Sequence, residues 1–188
     1  MSKKIIALLW ALVICMLIVA IGLSFLFGFD NPIPWVLMAV VFLIPIVYKK
    51  VLKKDAVAWK ASYSVGIASL DNDHKELIEL LNHFQTAHDY NTGEEFERAA
   101  LDRLVAYTKN HFHDEEALME KYGYPHLDAH KEQHQEMVQS VEKFIRDYEQ
   151  RGHEALEGVS HYLRGWLIYH INGTDKEYGT FLNEKGVY

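Results

Sequence analysis

Two pairs of metal-type donors, His111 with Glu115 and His130 with His134, are each spaced four residues apart in stretches whose apolar residues recur every three or four positions. On a helix, residues four apart lie one turn above each other on one face, so each pair can reach a common point. Such pairs on apolar seams confine the chain to helices packed against one another, because a bundle interior gathers donors from several helices. His170 and Asp175 extend the set and His74 precedes it, so four successive helical segments contribute five imidazoles and two carboxylates.

The seams predict where those helices run. The first stripe is His74, Leu77, Ile78, Leu81 and Phe84, with Asp71 placed to cap it. Thr92 and Glu95 make a capping-box pattern before the second stripe, Ala100, Leu104, Thr108, His111, Glu115 and Leu118, which Gly123 stops. Pro125 opens the third, which carries Leu127, His130, His134, Met137, Val141, Phe144 and Tyr148 and ends at Arg151-Gly152. The fourth is Leu156, Val159, Leu163, Trp166, Leu167 and His170. Short connections favour antiparallel neighbours, so the expected fold is all-α: an up-down-up-down four-helix bundle over residues 71–188, with a linker arm over 55–70. Trp59 and Tyr63 in that arm suit packing on the bundle, and Trp59 equally suits a membrane interface.

Before the arm, residues 5–27 form an uncharged run of 23, long enough at about 1.5 Å per residue to cross a bilayer core of about 30 Å. A second apolar run over 33–48 follows the turn-like Asp30-Asn31-Pro32 and contains Pro45, which is expected to kink it. Two transmembrane helices in a hairpin over 1–54 are expected, with a re-entrant loop as the alternative. Lysines flank the outer ends and only an acid lies between the runs, so the positive-inside rule places both termini in the cytoplasm. The chain is therefore expected to be a multi-pass protein of the cytoplasmic (inner) membrane, with the bilayer as a partner and the C-terminal domain on the cytoplasmic side.

Charge divides at the same place. The first 54 residues hold six lysines and one acid, whereas the other 134 hold 13 basic and 25 acidic residues. An acidic domain without a basic stripe argues against nucleic-acid binding, which depends on neutralising phosphates. The single cysteine, Cys15, sits in the first apolar run and excludes an intramolecular disulfide.

The seven donors occupy seam positions where leucine is otherwise expected. Burying them with no strong electrophile leaves costly unsatisfied groups, and a metal cluster satisfies them together. A histidine-rich, carboxylate-containing, thiolate-free set suits iron, manganese or zinc, and seven residues exceed the four ligands of one zinc. Two octahedral ions have twelve positions; five histidines, two bridging carboxylates and a bridging oxo or hydroxo group leave one open for a small diatomic. Asp175 follows His170 by five residues, about 140° round an ideal helix, so a distortion is expected near Gly173-Thr174. His83, His88, His113, His126, His153 and His161 fall off the seams and are read as surface residues.

These residues resemble the hemerythrin family, and within it the bacteriohemerythrins. The resemblance covers about residues 59–178 and rests on Gly66-Ile67, Asp71-x2-His74, Tyr107-Thr108-x2-His111-Phe112-x2-Glu115-Glu116-x2-Met119, Gly123-Tyr124-Pro125, His130-x3-His134 and Trp166-Leu167-x2-His170-Ile171-x3-Asp175. It implies a non-haem di-iron centre of two iron ions, with His111, His130 and His134 on one iron, His74 and His170 on the other, and Glu115 and Asp175 bridging. It also implies dioxygen at the iron with two histidines, in a pocket lined by Phe112, Trp166, Leu167 and Ile171.

Reversible dioxygen binding, for storage or for delivery to a membrane oxidase or oxygenase, is the expected function. The alternatives are a di-iron scavenger of peroxide or nitric oxide, and a sensor of oxygen, redox or iron. The chain has no Ser/His/Asp set, no Glu-x-x-His pair and no acid or base on the seams beyond the donors, which weighs against an enzyme.

Overall fold

The structure is a computed structural model that describes residues 3–53, 56–90, 92–156 and 158–188. It divides into two compact units, Met1–Ala56 and Val57–Tyr188. The expected boundary at 54 and 55 lies outside the described residues, as do the side chains of the flanking lysines. Described residues form helices and turns, with no strand among them.

In the first unit, α1 (Lys3–Ser24) runs into a 3-10 turn at Phe25–Phe27, and α2 (Ile33–Lys53) packs back on it. Gly28, at φ 101°, turns the chain. Asn31 then starts α2 by accepting the Ile33 N–H through Oδ1 at 3.1 Å. The helix continues through Pro45. Ile5–Phe27 is long and apolar enough to cross a membrane by length and composition, whereas the apolar part of α2 is Ile33–Val47. Those 15 residues span about 22 Å, short of a core of about 30 Å.

The second unit holds α3 (Ala68–Asp89), α4 (Glu94–Tyr122), α5 (Leu127–Arg151), α6 (Val159–His170) and α7 (Lys176–Glu184). The last two form one interrupted rod, so the architecture is four helical rods in an all-α bundle. α4 packs against α3 and α5, and the rod packs against α3 and α4.

Helix ends differ from expectation in two places. α3 starts at Ala68, before Asp71, whose carboxylate accepts the Val65 N–H at 2.7 Å and the Ser64 hydroxyl. Asp71 thus holds the incoming arm against the first turn. Gly93, at φ 114°, caps α4 without a side-chain bond, and Thr92 donates its hydroxyl back to Ala87 O instead of forming the capping box. Gly123 ends α4 in the left-handed region at φ 70°, as expected.

The arm packs on its own unit. Asn82 donates to Val57 O and accepts the Val57 N–H, both at 2.8 Å. Trp59 meets Tyr63 edge-on at 5.8 Å between ring centroids, and Lys75 lies over the Trp59 ring. Trp59 therefore packs on the bundle surface, as expected for one of its two roles. Gly179 admits the arm to α7, since a Cβ there would lie 2.6 Å from Val65 O.

Two apolar clusters sandwich a polar layer. One includes Leu77, Leu81, Leu104, Met137, Val141, Leu163 and Leu167; the other includes Ile67, Leu70, Met119, Tyr124, Tyr178 and Leu182. Between them, on every rod, lie the seven donors. Burial of each large apolar side chain is worth about 1.5–3 kcal/mol, and these two layers hold the polar one in place.

Candidate metal centre

All seven donors converge. His74, Glu115 and Asp175 are 0% exposed, and His111, His130, His134 and His170 are no more than 4% exposed. α3 supplies His74, α4 supplies His111 and Glu115 one turn apart, and α5 supplies His130 and His134. Asp175 arrives through a π-helical turn at Ile171–Asp175, whose i→i+5 bonding sets residues five apart one turn apart. That is the distortion the His170 to Asp175 spacing demanded. Thr174 anchors it to α5 by donating to Gln133 Oε1 at 2.9 Å.

Glu115 lies at the centre of the set. Its Oε1 is 3.4 Å from Nε2 of both His74 and His111, while its Oε2 is 3.7 Å from His130 Nε2 and 3.5 Å from His134 Nε2. Asp175 spans the same way, with Oδ2 at 3.4 Å from His74 Nε2 and Oδ1 at 3.7 and 3.2 Å from Nε2 of His130 and His170. The two carboxylates therefore face two histidine groups. His134 Nε2 and His170 Nε2 are 3.0 Å apart, and the His74 and His111 rings meet edge-on at 4.8 Å.

This grouping corrects the expected partition. His170 belongs with His130 and His134, and His111 belongs with His74. The reason is tertiary: α3 packs along α4, which sets His74 against His111, and the π turn swings His170 towards α5.

The donors fit metal ions on the chemistry of the cluster. Both ring nitrogens of His74 and His130, Oε2 of Glu115 and both oxygens of Asp175 are buried without hydrogen-bond partners, a costly state for polar atoms. Adjacent donors on an octahedral ion with bonds of about 2.1 Å lie about 3.0 Å apart, and the observed separations need only small contraction to meet that.

Electrostatics point the same way. Burial alone would lower the His74 pKa, but the carboxylates of Asp175 and Glu115 overcome it and raise it to about 9. Burial drives His134 down to about 2 and also lowers His170. Glu115 is held well below the carboxylate range because His111, His130 and His74 outweigh its burial. Two imidazoles are thus held neutral and one carboxylate ionised, the forms in which such groups bind metals, while the proton that the carboxylates hold on His74 is one that an ion would displace.

Several residues with no role expected from the sequence support the donors. Glu116 Oε1 lies 2.8 Å from His134 Nδ1, Tyr178 donates its hydroxyl to Glu115 Oε1, and Asp73 stands 3.8 Å from His111 Nδ1 while accepting from Tyr107 at 2.9 Å. Glu116 and Tyr178 each lie within three residues of a donor in the sequence, but proximity alone does not distinguish them from ordinary neighbours.

The expected pocket residues divide. Trp166 and Leu167 line an apolar cavity of about 30 Å³ together with Leu77, Leu81, Leu104 and Met137. Leu77, Met137 and Leu167 are each three residues from His74, His134 and His170, so the cavity lies one turn beyond the donors. It has room for a water-sized or diatomic molecule and favours an apolar one. Phe112 stacks on His134 at 3.6 Å between centroids, and Trp166 stacks on His170 at 4.3 Å. Ile171 is wholly buried in the same apolar cluster.

A helical bundle with a buried histidine and carboxylate layer defines a class of metal-binding protein. Residues 65–182 match the hemerythrin HHE cation-binding domain, and the chain belongs to that family. It is 34% identical over 126 residues to the bacteriohemerythrin of Stenotrophomonas maltophilia, covering 65% of this chain and 78% of that protein. Against a hemerythrin of Sipunculus nudus it is 29% identical over 128 residues, covering 68% and 95%. A wild-type hemerythrin crystal structure superposes with a TM-score of 0.58 at 26% identity, covering 66% of this chain and 95% of the other.

Proposed function

We propose that this chain is a membrane-anchored di-iron protein that binds dioxygen reversibly. His130, His134 and His170 would hold one iron, His74 and His111 the other, and Glu115 and Asp175 would bridge them. The observation that carries this reading is the convergence of seven buried donors, several with unpartnered polar atoms, beside an apolar cavity. Bound there, the iron pair would supply the electrons that dioxygen draws on.

The protein's own groups define what else happens. His74 and His111 bring one imidazole fewer than the other group, so that side would have room for dioxygen. Glu116 orients His134, Asp73 faces His111, and Tyr178 holds a proton against Glu115, fixing three donors in place. Leu77, Leu167 and Trp166 keep water, and the protons it carries, away from the cavity. Among the described residues lining that cavity only Lys109 is charged, and it pairs with Glu142 at 3.3 Å, which favours carriage over turnover.

The apolar unit would anchor the bundle in the cytoplasmic membrane as a two-helix hairpin, the bilayer thinning to meet the shorter apolar part of α2, with both termini on the lysine-rich side. Tethering raises the local concentration of bound oxygen for a membrane oxidase or oxygenase. Detergent-purified protein is to be assayed for iron and for visible absorption when reduced, aerated and deoxygenated again. Two irons and a charge-transfer band that appears and vanishes with oxygen support carriage. Irreversible oxidation with oxygen consumed would transfer the assignment to a scavenger of peroxide or nitric oxide.

A further inference from the structure

The bundle carries a second group of donors that the di-iron centre does not use. His88 in the last turn of α3, Glu97 in the first turn of α4 and His153 in the 3-10 turn after α5 each bring one donor atom within 4.8 Å of the others. His88 lies 14 positions after His74, and Glu97 lies 14 before His111. At about 1.5 Å per residue that is about 21 Å along the bundle, so the two groups cannot share an ion.

Glu97 distinguishes this group from a chance surface cluster. It is 1% exposed, although its neighbour Glu95 faces solvent. Glutamates are seldom so buried without a counter-charge. Its Oε1 lies 2.8 Å from His153 Nδ1, while its Oε2 is buried and has no hydrogen-bond partner. One contact satisfies Oε1 and leaves Oε2 buried without a partner, a costly state for a carboxylate oxygen. His88 stacks on His153 at 4.5 Å between centroids and 26°, which brings a second imidazole to the carboxylate. Gln85, one turn before His88, has a buried Oε1 without a partner and lines a pocket with His88, Ser160 and His161.

We propose that His88, Glu97 and His153 form a site for one divalent first-row transition ion, separate from the di-iron centre. Two imidazoles and a carboxylate, with no thiolate, suit zinc, iron(II) or cobalt(II) better than calcium, magnesium or copper(I). The ion cancels the buried charge and takes over the place of the proton between Glu97 and His153. A fourth position is left for water or Gln85. Because the donors come from the end of α3, the start of α4 and the turn after α5, the ion fastens three segments at one end of the bundle.

The test uses the full-length, iron-loaded protein in detergent, titrated with zinc and, separately, with cobalt(II). Elemental analysis counts the ions, and competition with a chromophoric chelator gives the affinity. One further ion per chain is expected, with iron retained, cobalt absorption typical of a low-coordinate nitrogen and oxygen site, and a higher Tm in zinc. His88→Ala and His153→Ala should each weaken it by at least the about 100-fold that loss of even an outer partner can cost, with iron unchanged. Glu97→Gln should do the same, and His153→Gln replaces it if that variant does not fold. Absence of a further ion, zinc entering only by displacing iron, or undiminished binding in both alanine variants would each overturn the proposal. The last outcome would assign the zinc to exposed histidines such as His83 or His113.

Discussion

The two units of this chain place their apolar and polar groups in opposite ways. In the first, large apolar side chains face outward, with Leu8 70% and Phe42 73% exposed. In the second, the interior holds five histidines and three acids at no more than 4% exposure. Each arrangement is costly in water alone, and each becomes favourable with a different partner. A bilayer would cover the outward leucines, and metal ions would satisfy the inward donors. An exposed apolar surface and a buried polar layer are therefore one kind of signal, since both describe a missing neighbour.

Removing a donor should disturb the contrast most severely. His130 stands 3.7 Å from an oxygen of Glu115 and from one of Asp175. His130→Ala is expected to reduce iron from two per chain to one or none and to abolish the oxygen band, measured by elemental analysis and absorption. Full iron in that variant would refute the ligand set.

Placing a charge on the first unit comes next. Leu12 is 58% exposed on α1, and an arginine at mid-helix costs about 2.5–3.5 kcal/mol of insertion. Leu12→Arg should shift the protein from the membrane fraction to soluble or aggregated material, with iron per folded chain unchanged. A chain still wholly in membranes would show that α1 is not the anchor.

Enlarging the cavity has a similar but more local effect. Leu167 is 8% exposed and lines the apolar cavity. Leu167→Ala should cost about 2–3 kcal/mol in thermal unfolding and quicken irreversible oxidation, followed as decay of the oxygenated spectrum. A smaller loss is expected at Glu116, where Glu116→Gln should lower iron affinity by about 10–100-fold through a looser His134 while leaving the fold intact.

The mildest effect is pH dependence of the metal-free protein. His134 titrates at about 2 when folded against 6.5 when unfolded, so below pH 6.5 the unfolded state takes up a proton that the folded state does not. Stability should therefore fall as pH drops below 6.5. His74, raised to about 9, contributes in the opposite sense, with stability complete below 6.5 and lost as pH rises towards 9. Melts across this range should weaken on the acid side, and His134→Leu should remove much of that slope.

Much of the site was legible because helices convert spacing into direction. His111 with Glu115, and His130 with His134, could only share a face, and all seven expected donors are buried together. Asp175 was legible as an exception, since its spacing required the turn that proved to be π-helical. Glu97 was not legible, because a glutamate in a first helical turn beside two others has no periodic mark. His88 and His153 were read as surface residues, yet both are half-buried around it.

The class of fold, the apolar N-terminal run and the identity of the seven donors follow from the order of residues, because they depend on composition and on the period along one helix. How the donors divide does not follow from it, because that depends on which helices pack together. The side chain of His170 has the same chemistry whether it faces His74 or His134, and only the tertiary arrangement, with the π turn tied to α5 through Thr174 and Gln133, brings its Nε2 to 3.0 Å from that of His134.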